Sequence, residues 1–173
     1  MGLTAEKKRL IIRRIVYAIL LILAAVIQNT PRLLPEPFGL HQLGVTAMVV
    51  CIAMFERETA GMLFGLLAGV VLDVTGGTQG INAIILTVFG LICGLLVNNI
   101  FRNNIFTSLI FSVVALLTQV FVYWIFSAAG TAGAGRLIFT FCLPSVVYTA
   151  IFTPIWFLII RAVHRKLPSE ARR

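Results

Sequence analysis

Charge is scarce in this chain, and acid is scarcer still. Charged residues make up 12% of the sequence, with six acids against 14 lysines and arginines. The single aspartate, Asp73, has no second catalytic Asp with which to share a proton, so Asp73-Val74-Thr75-Gly76 is not half of a protease dyad. Histidine is limited to His41, at the edge of an apolar run, and His164, in a basic tail, and neither has metal-ligand company. Cys51, Cys93 and Cys142 lie inside apolar runs without CxxC or Cys/His spacing. They read as small packing residues and point to no oxidising compartment, metal site or nucleophilic thiol. Internal repeats, low-complexity tracts and proline-rich linkers are missing too; Pro31, Pro35 and Pro37 only stiffen a short loop over 30–39. No catalytic residue, cofactor or metal is expected.

Apolar residues are what the chain has in excess. They make up 60% of it, and its mean hydropathy is +1.02, far outside the balance of a soluble domain. Apolar runs cover 11–27, 40–55, 60–74, 81–97, 105–127 and 137–163, separated by segments rich in Pro, Gly, Asn or charge. A helical span needs roughly 20 apolar residues to cross about 30 Å of hydrocarbon, so six spans consume roughly 120 positions. No room is left for a soluble catalytic or recognition domain. The expected fold is all-α: one transmembrane domain over 1–173 with six helices, the second and third of them short, and basic tails at 1–10 and 164–173.

The net charge of +8 would indicate nucleic acid if it were spread over a folded surface. It is gathered at the ends instead. Lys7, Lys8, Arg9, Arg13 and Arg14 precede or open the first run, and Arg161, Arg165, Lys166, Arg172 and Arg173 follow or close the last. With both termini cytoplasmic, those ten residues, Arg57 and Arg102 face inward and only Arg32 and Arg136 face outward. That asymmetry is the positive-inside signal of a bacterial inner-membrane protein, and it also favours anionic lipid headgroups over nucleic acid as the partner of the charge. A signal peptide is the competing explanation for the start, but Gln28-Asn29-Thr30-Pro31 offers no small-residue cleavage site. The second and third runs are expected to meet in a tight turn at Glu56-Arg57-Glu58; a re-entrant hairpin would submerge those three charges at considerable cost.

Specific work, if the bundle does any, is expected on its small and polar residues. Gly61, Gly65 and Gly69 recur every four residues and Asp73 continues their row, so one stripe of the third helix permits close helix approach. Asn82, Leu86, Gly90 and Gly94 form a similar row on the fourth, and the two helices are expected to pack together. Asp73 is the one acid inside an apolar run. A carboxylate there needs a partner: Asx-type bonding to the N–H groups of Thr75 or Gly76, a contact to Asn82, proton or cation coupling, or a polar contact to another protein. The glycines Gly76, Gly77 and Gly80 superficially suggest a phosphate-cradling loop, but the Lys-Ser/Thr of a P-loop is absent. Ser108, Ser112, Ala115 and Gln119 share one face of the fifth run, and Ser145, Thr149 and Thr153 one face of the sixth, where hydroxyls and amides bond across helices or to their own backbone. Pro144 and Pro154 are expected to kink or loosen the last helix. Tyr123 and Trp124 suit an interfacial belt, while Trp156 is placed deeper, against neighbouring helices.

The row Gly65-x3-Gly69-x3-Asp73-x3-Gly77-x2-Gly80-x-Asn82, in a six-span chain of this length, resembles the rod-shape-determining MreD family. The resemblance implies a non-enzymatic membrane scaffold of the cell-elongation machinery, supporting lateral peptidoglycan synthesis. It also implies association with an MreC-like protein, MreB, RodZ and a glycosyltransferase and transpeptidase pair. No catalytic residue is carried over, and Gly61, Gly65, Gly69, Asp73, Gly77, Gly80, Asn82, Gly90 and Gly94 are the candidate positions for helix packing or partner contact. The alternative is a substrate-capturing subunit of a vitamin transporter. Such subunits dock through an Ala-x3-Ala surface on the first helix, and Ala18, Ala24 and Ala25 lack that spacing.

Overall fold

The computed structural model describes residues 5–30, 44–76, 80–99, 103–128 and 143–167. Among them are six helices: α1 (Ala5–Asn29), α2 (Gly44–Phe55), α3 (Glu58–Gly76), α4 (Ile81–Asn99), α5 (Ile105–Ala128) and α6 (Leu143–Lys166). Four stretches, Lys7–Asn29, Glu58–Gly76, Ile105–Val122 and Pro144–Lys166, are long and apolar enough to cross a membrane, whereas Gly44–Phe55 and Ile81–Val97 are shorter apolar helices. This corrects the expectation that the third helix is short. Glu58 opens α3 two residues earlier, where the helix dipole favours an acid, and at the other end the Thr75 hydroxyl bonds back to the Val71 carbonyl at 2.9 Å. Polar residues that suit a helix end lengthen it beyond its apolar run. The last helix continues unbroken through Pro154, and Pro144 sits in its first turn, where the missing N–H has no helical acceptor to lose.

The short helix is the centre of the molecule. All residues of α2 from Gly44 to Met54 are buried, and α2 touches each of the other five helices. At 12 residues it is roughly 18 Å long, too short to cross hydrocarbon alone. It has no need to, because neighbouring helices sheathe it. The Val45 N–H donates to the Gln28 side chain at 3.1 Å, so α1 satisfies one of the amides orphaned at the α2 N-terminus. A helix apolar on every side belongs in such a position.

The outer helices are apolar on both faces. On α3, Ala60, Gly61, Phe64, Gly65, Ala68, Gly69 and Leu72 are buried, while Leu63, Leu66, Leu67, Val70 and Val74 are exposed. Phe106 and Phe121 on α5 and Val147 and Ile151 on α6 are exposed as well. An apolar surface of this extent matches hydrocarbon rather than water, consistent with a multi-pass membrane protein.

Contacts place the α1 N-terminal half, the α2–α3 turn and the α6 C-terminus at one end of the bundle: Arg13 pairs with Glu56 and donates to the Leu167 carbonyl, and the Phe55 ring lies 5.3 Å from that of His164. Lys7, Lys8, Arg9, Arg14, Arg57, Arg161, Arg165 and Lys166 are at this end. We call it the basic end. Arg32, Arg102, Arg136, His41 and Cys142 lie outside the described residues, as do the side chains of Tyr123 and Trp124. Trp156 is half-buried and packs against the core.

Candidate functional site

The two glycine rows face each other across an antiparallel seam between α3 and α4. A Cβ added at Gly61 would stand 2.6 Å from the Gly90 carbonyl oxygen and 2.9 Å from Ala53 Cβ; one at Gly94 would stand 2.7 Å from Glu58 Cα. Methyl groups at Gly65, Gly69 and Gly90 would run into the backbone of Leu86, Ala83 and Gly61 respectively. The nearest neighbour in every case is main chain, which cannot rotate away, so only glycine permits this helix separation. Gly80 serves differently: its φ is +90°, with open space where a Cβ would go, so conformation and not crowding selects glycine there. Gly77 lies outside the described residues.

Asp73 ends the α3 row by binding the start of α4. Its Oδ1 accepts from the Asn82 N–H at 3.0 Å and its Oδ2 from the Ala83 N–H at 2.8 Å. These amides belong to the orphaned first turn of α4, where an N-cap side chain would normally accept them. Gly80, just before α4, has no side chain to do so, and Asp73 takes over from the preceding helix. The expected bonds to Thr75 or Gly76 are replaced for a definite reason: α3 stays helical through Gly76, so those two amides are already committed to the helix. The α3 dipole disfavours a carboxylate at its own C-terminus, but the positive end of α4 compensates.

From Asn82 a chain of polar contacts crosses the bundle. The Gln119 amide donates to Asn82 Oδ1 at 2.5 Å, and the Thr46 hydroxyl donates to Gln119 Oε1 at 2.8 Å. Thr46 opens α2 beside Val45, which is held by Gln28 of α1. Five helices are thus tied at the end opposite the basic one. Lower on α5, the Ser108 hydroxyl meets the Cys51 thiol at 3.2 Å, while the buried Thr149 and Thr153 hydroxyls donate to carbonyls of their own helix.

The basic end contains a constellation that sequence patterns did not single out. Arg13 Nε and Glu56 Oε1 approach to 2.6 Å, with both side chains 3% exposed. The Nε–H is not aligned on the oxygen, so this is a charge contact more than a directed hydrogen bond, while Nη1 donates to the Leu167 carbonyl at 3.2 Å. Tyr17, one turn along α1 from Arg13, is fully buried and packs edge-on against Phe64. Arg13 looked like one topogenic cation among five, and Glu56 like part of a solvated turn. Only the buried stripe of Arg13, Tyr17, Leu21 and Ala24 on α1 sets Arg13 apart, and a helix apolar on all sides hides such a stripe.

Among the described residues no group of three His, Cys, Asp or Glu side chains could hold a metal ion. What the arrangement does chemically is hold helices: backbone against backbone along the seam, neutral amides at one end and an ion pair at the other. No curated protein and no solved structure matches the chain. A family model described as rod shape-determining protein MreD matches residues 8–167, a stretch that takes in the seam and both polar ends. The chain therefore belongs to the MreD family of rod shape-determining proteins.

Proposed function

We propose that this chain is a non-enzymatic scaffold of the bacterial elongation complex, held in the cytoplasmic membrane by six spans with both termini inside. In this role it supports lateral peptidoglycan synthesis by joining an MreC-like protein to an assembly that includes MreB, RodZ and a glycosyltransferase and transpeptidase pair. The observation that carries the reading is the family match over 8–167. The bundle suits it: many of its buried polar groups are occupied in holding one helix to another, and its exposed surface is largely apolar. The clustering of the basic side chains at one end supports the cytoplasmic placement of both termini. Within this scaffold, Gly61, Gly65, Gly69, Gly90 and Gly94 with Asp73 and Asn82 act as an internal brace that keeps the partner-facing surfaces in register.

Depletion in a rod-shaped host is the test. Loss of this chain should round or swell the cells, and a tagged copy should co-purify with an MreC-like protein; straight, normal rods after clean deletion would overturn the proposal. Reporter fusions at both ends should report a cytoplasmic location.

A further inference from the structure

Between α1 and α3 the surface opens into a groove of about 320 Å³, lined by Ile11, Arg14 and Ala18 on one side and Ala60, Leu63 and Leu67 on the other. Its lining is apolar throughout, the aliphatic stem of Arg14 included. The groove owes its depth to Ala18 and Ala60, small residues on helices otherwise rich in Ile and Leu. It also has a direction. Arg14 and Ala60 lie towards the basic end, beside the turn that holds Glu56, whereas Ala18 and Leu67 lie deeper in the bundle. From Ile11 to Ala18 the helix rises roughly 10 Å.

The adjacent arginines have opposite fates. Arg13 turns into the bundle, where Glu56 neutralises it; Arg14 is exposed and has no ion-pair partner among the described residues. The Arg14 stem thus lines an apolar slot that runs towards the membrane middle, while its exposed, unneutralised guanidinium lies outside that lining. A phospholipid has the matching polarity, with an anionic phosphate at the surface and an acyl chain directed inward. Guanidinium binds phosphate through paired N–H groups, and a slot between two helices offers a chain more contact than a convex helix face.

We propose that this groove binds one anionic phospholipid of the leaflet at the basic end, its phosphate on Arg14 and one acyl chain between α1 and α3. A helix from another protein could fill the slot, but would leave the exposed cation beside it unexplained.

The full-length protein, reconstituted in phosphatidylcholine vesicles with a trace of photoactivatable phosphatidylglycerol, provides the test by peptide mapping of the cross-links. Label is expected on α1 and α3 peptides, displaced by unlabelled phosphatidylglycerol and not by phosphatidylcholine. Arg14→Gln should weaken capture about fivefold, the worth of one basic side chain against an anionic surface. Arg9→Gln, which removes an exposed cation away from the groove, should leave capture unchanged. Ala18→Leu, with its helical circular dichroism matching that of the parent, should abolish labelling while Arg14 remains. Equal labelling of all variants, labelling spread over α4 to α6, or equal losses in Arg9→Gln and Arg14→Gln would overturn the proposal. So would exclusion of the probe by a co-reconstituted membrane protein whose helix cross-links to Ala18 or Ala60.

Discussion

At the basic end, a guanidinium and a carboxylate meet at 2.6 Å almost out of reach of solvent, whereas at the opposite end neutral amides and hydroxyls join the helices and the one carboxylate faces backbone N–H groups. Both arrangements fasten several helices together. They differ in how they fail. Removing one member of a buried ion pair strands the other without hydration, and that costs far more than the pair contributes when intact. Removing one member of an amide chain leaves neighbours that find other partners, and interhelical hydrogen bonds in membrane proteins average only about 0.6 kcal/mol. The basic end is therefore the brittle one, and the amide end degrades gradually.

The largest effect should come from the brittle end. Glu56→Ala is expected to destabilise the fold by about 3–5 kcal/mol, because Arg13 then remains buried and uncompensated. Reversible unfolding in mixed micelles measures this, and the double variant Arg13→Leu/Glu56→Leu should recover most of the loss. A double variant no better than the single would show that the ion pair is needed for itself.

The seam between the two ends comes next. Gly65→Ala puts a methyl group into the Leu86 backbone, and forcing the helices apart should cost about 1–3 kcal/mol in the same measurement. A neutral result would mean that the seam yields and does not couple the ends.

At the opposite end Asp73→Ala should cost about 1–2 kcal/mol, the range of a lost N-cap. Hydrogen exchange should localise the damage, with the Asn82 and Ala83 amides losing protection while the basic end stays closed. Asp73→Asn keeps an acceptor and should lose less. The smallest effect is expected for Gln119→Leu, about 0.6 kcal/mol, although it cuts the links to both Asn82 and Thr46. A penalty as large as that of Glu56→Ala would break the comparison between the ends.

Glycine spacing made the α3–α4 seam readable, since rows of small residues every four positions can serve only a helix face. Asp73 is recognisable as needing a partner, and of the candidates in the sequence Asn82 is the one that binds it, through its backbone N–H, while Thr75 and Gly76 do not. The nearest amides in sequence are not free, because α3 continues through Gly76, and the free amides are those that open α4. The Arg13–Glu56 pair escaped notice because its members are 43 positions apart and each had an ordinary local explanation. The length of α3 was underestimated because Glu58 and Thr75 are polar and yet helical. The place of α2 was equally hidden: run length marked it as short, and its all-round apolar character did not set it apart among helices that are nearly all apolar.

Composition and hydropathy by themselves determined that the chain is a helical bundle with apolar surfaces, that its cations gather near the termini and one turn, and that two of its helices carry glycine rows. These are properties of segments, and periodicity within a segment records them. Tertiary structure alone decided which helix lies at the centre, which of two adjacent arginines is neutralised, and which amides the single aspartate serves. Where almost every face of every helix is apolar, the hydrophobic pattern no longer separates inside from outside, so three-dimensional contacts assign the remaining polar groups their partners.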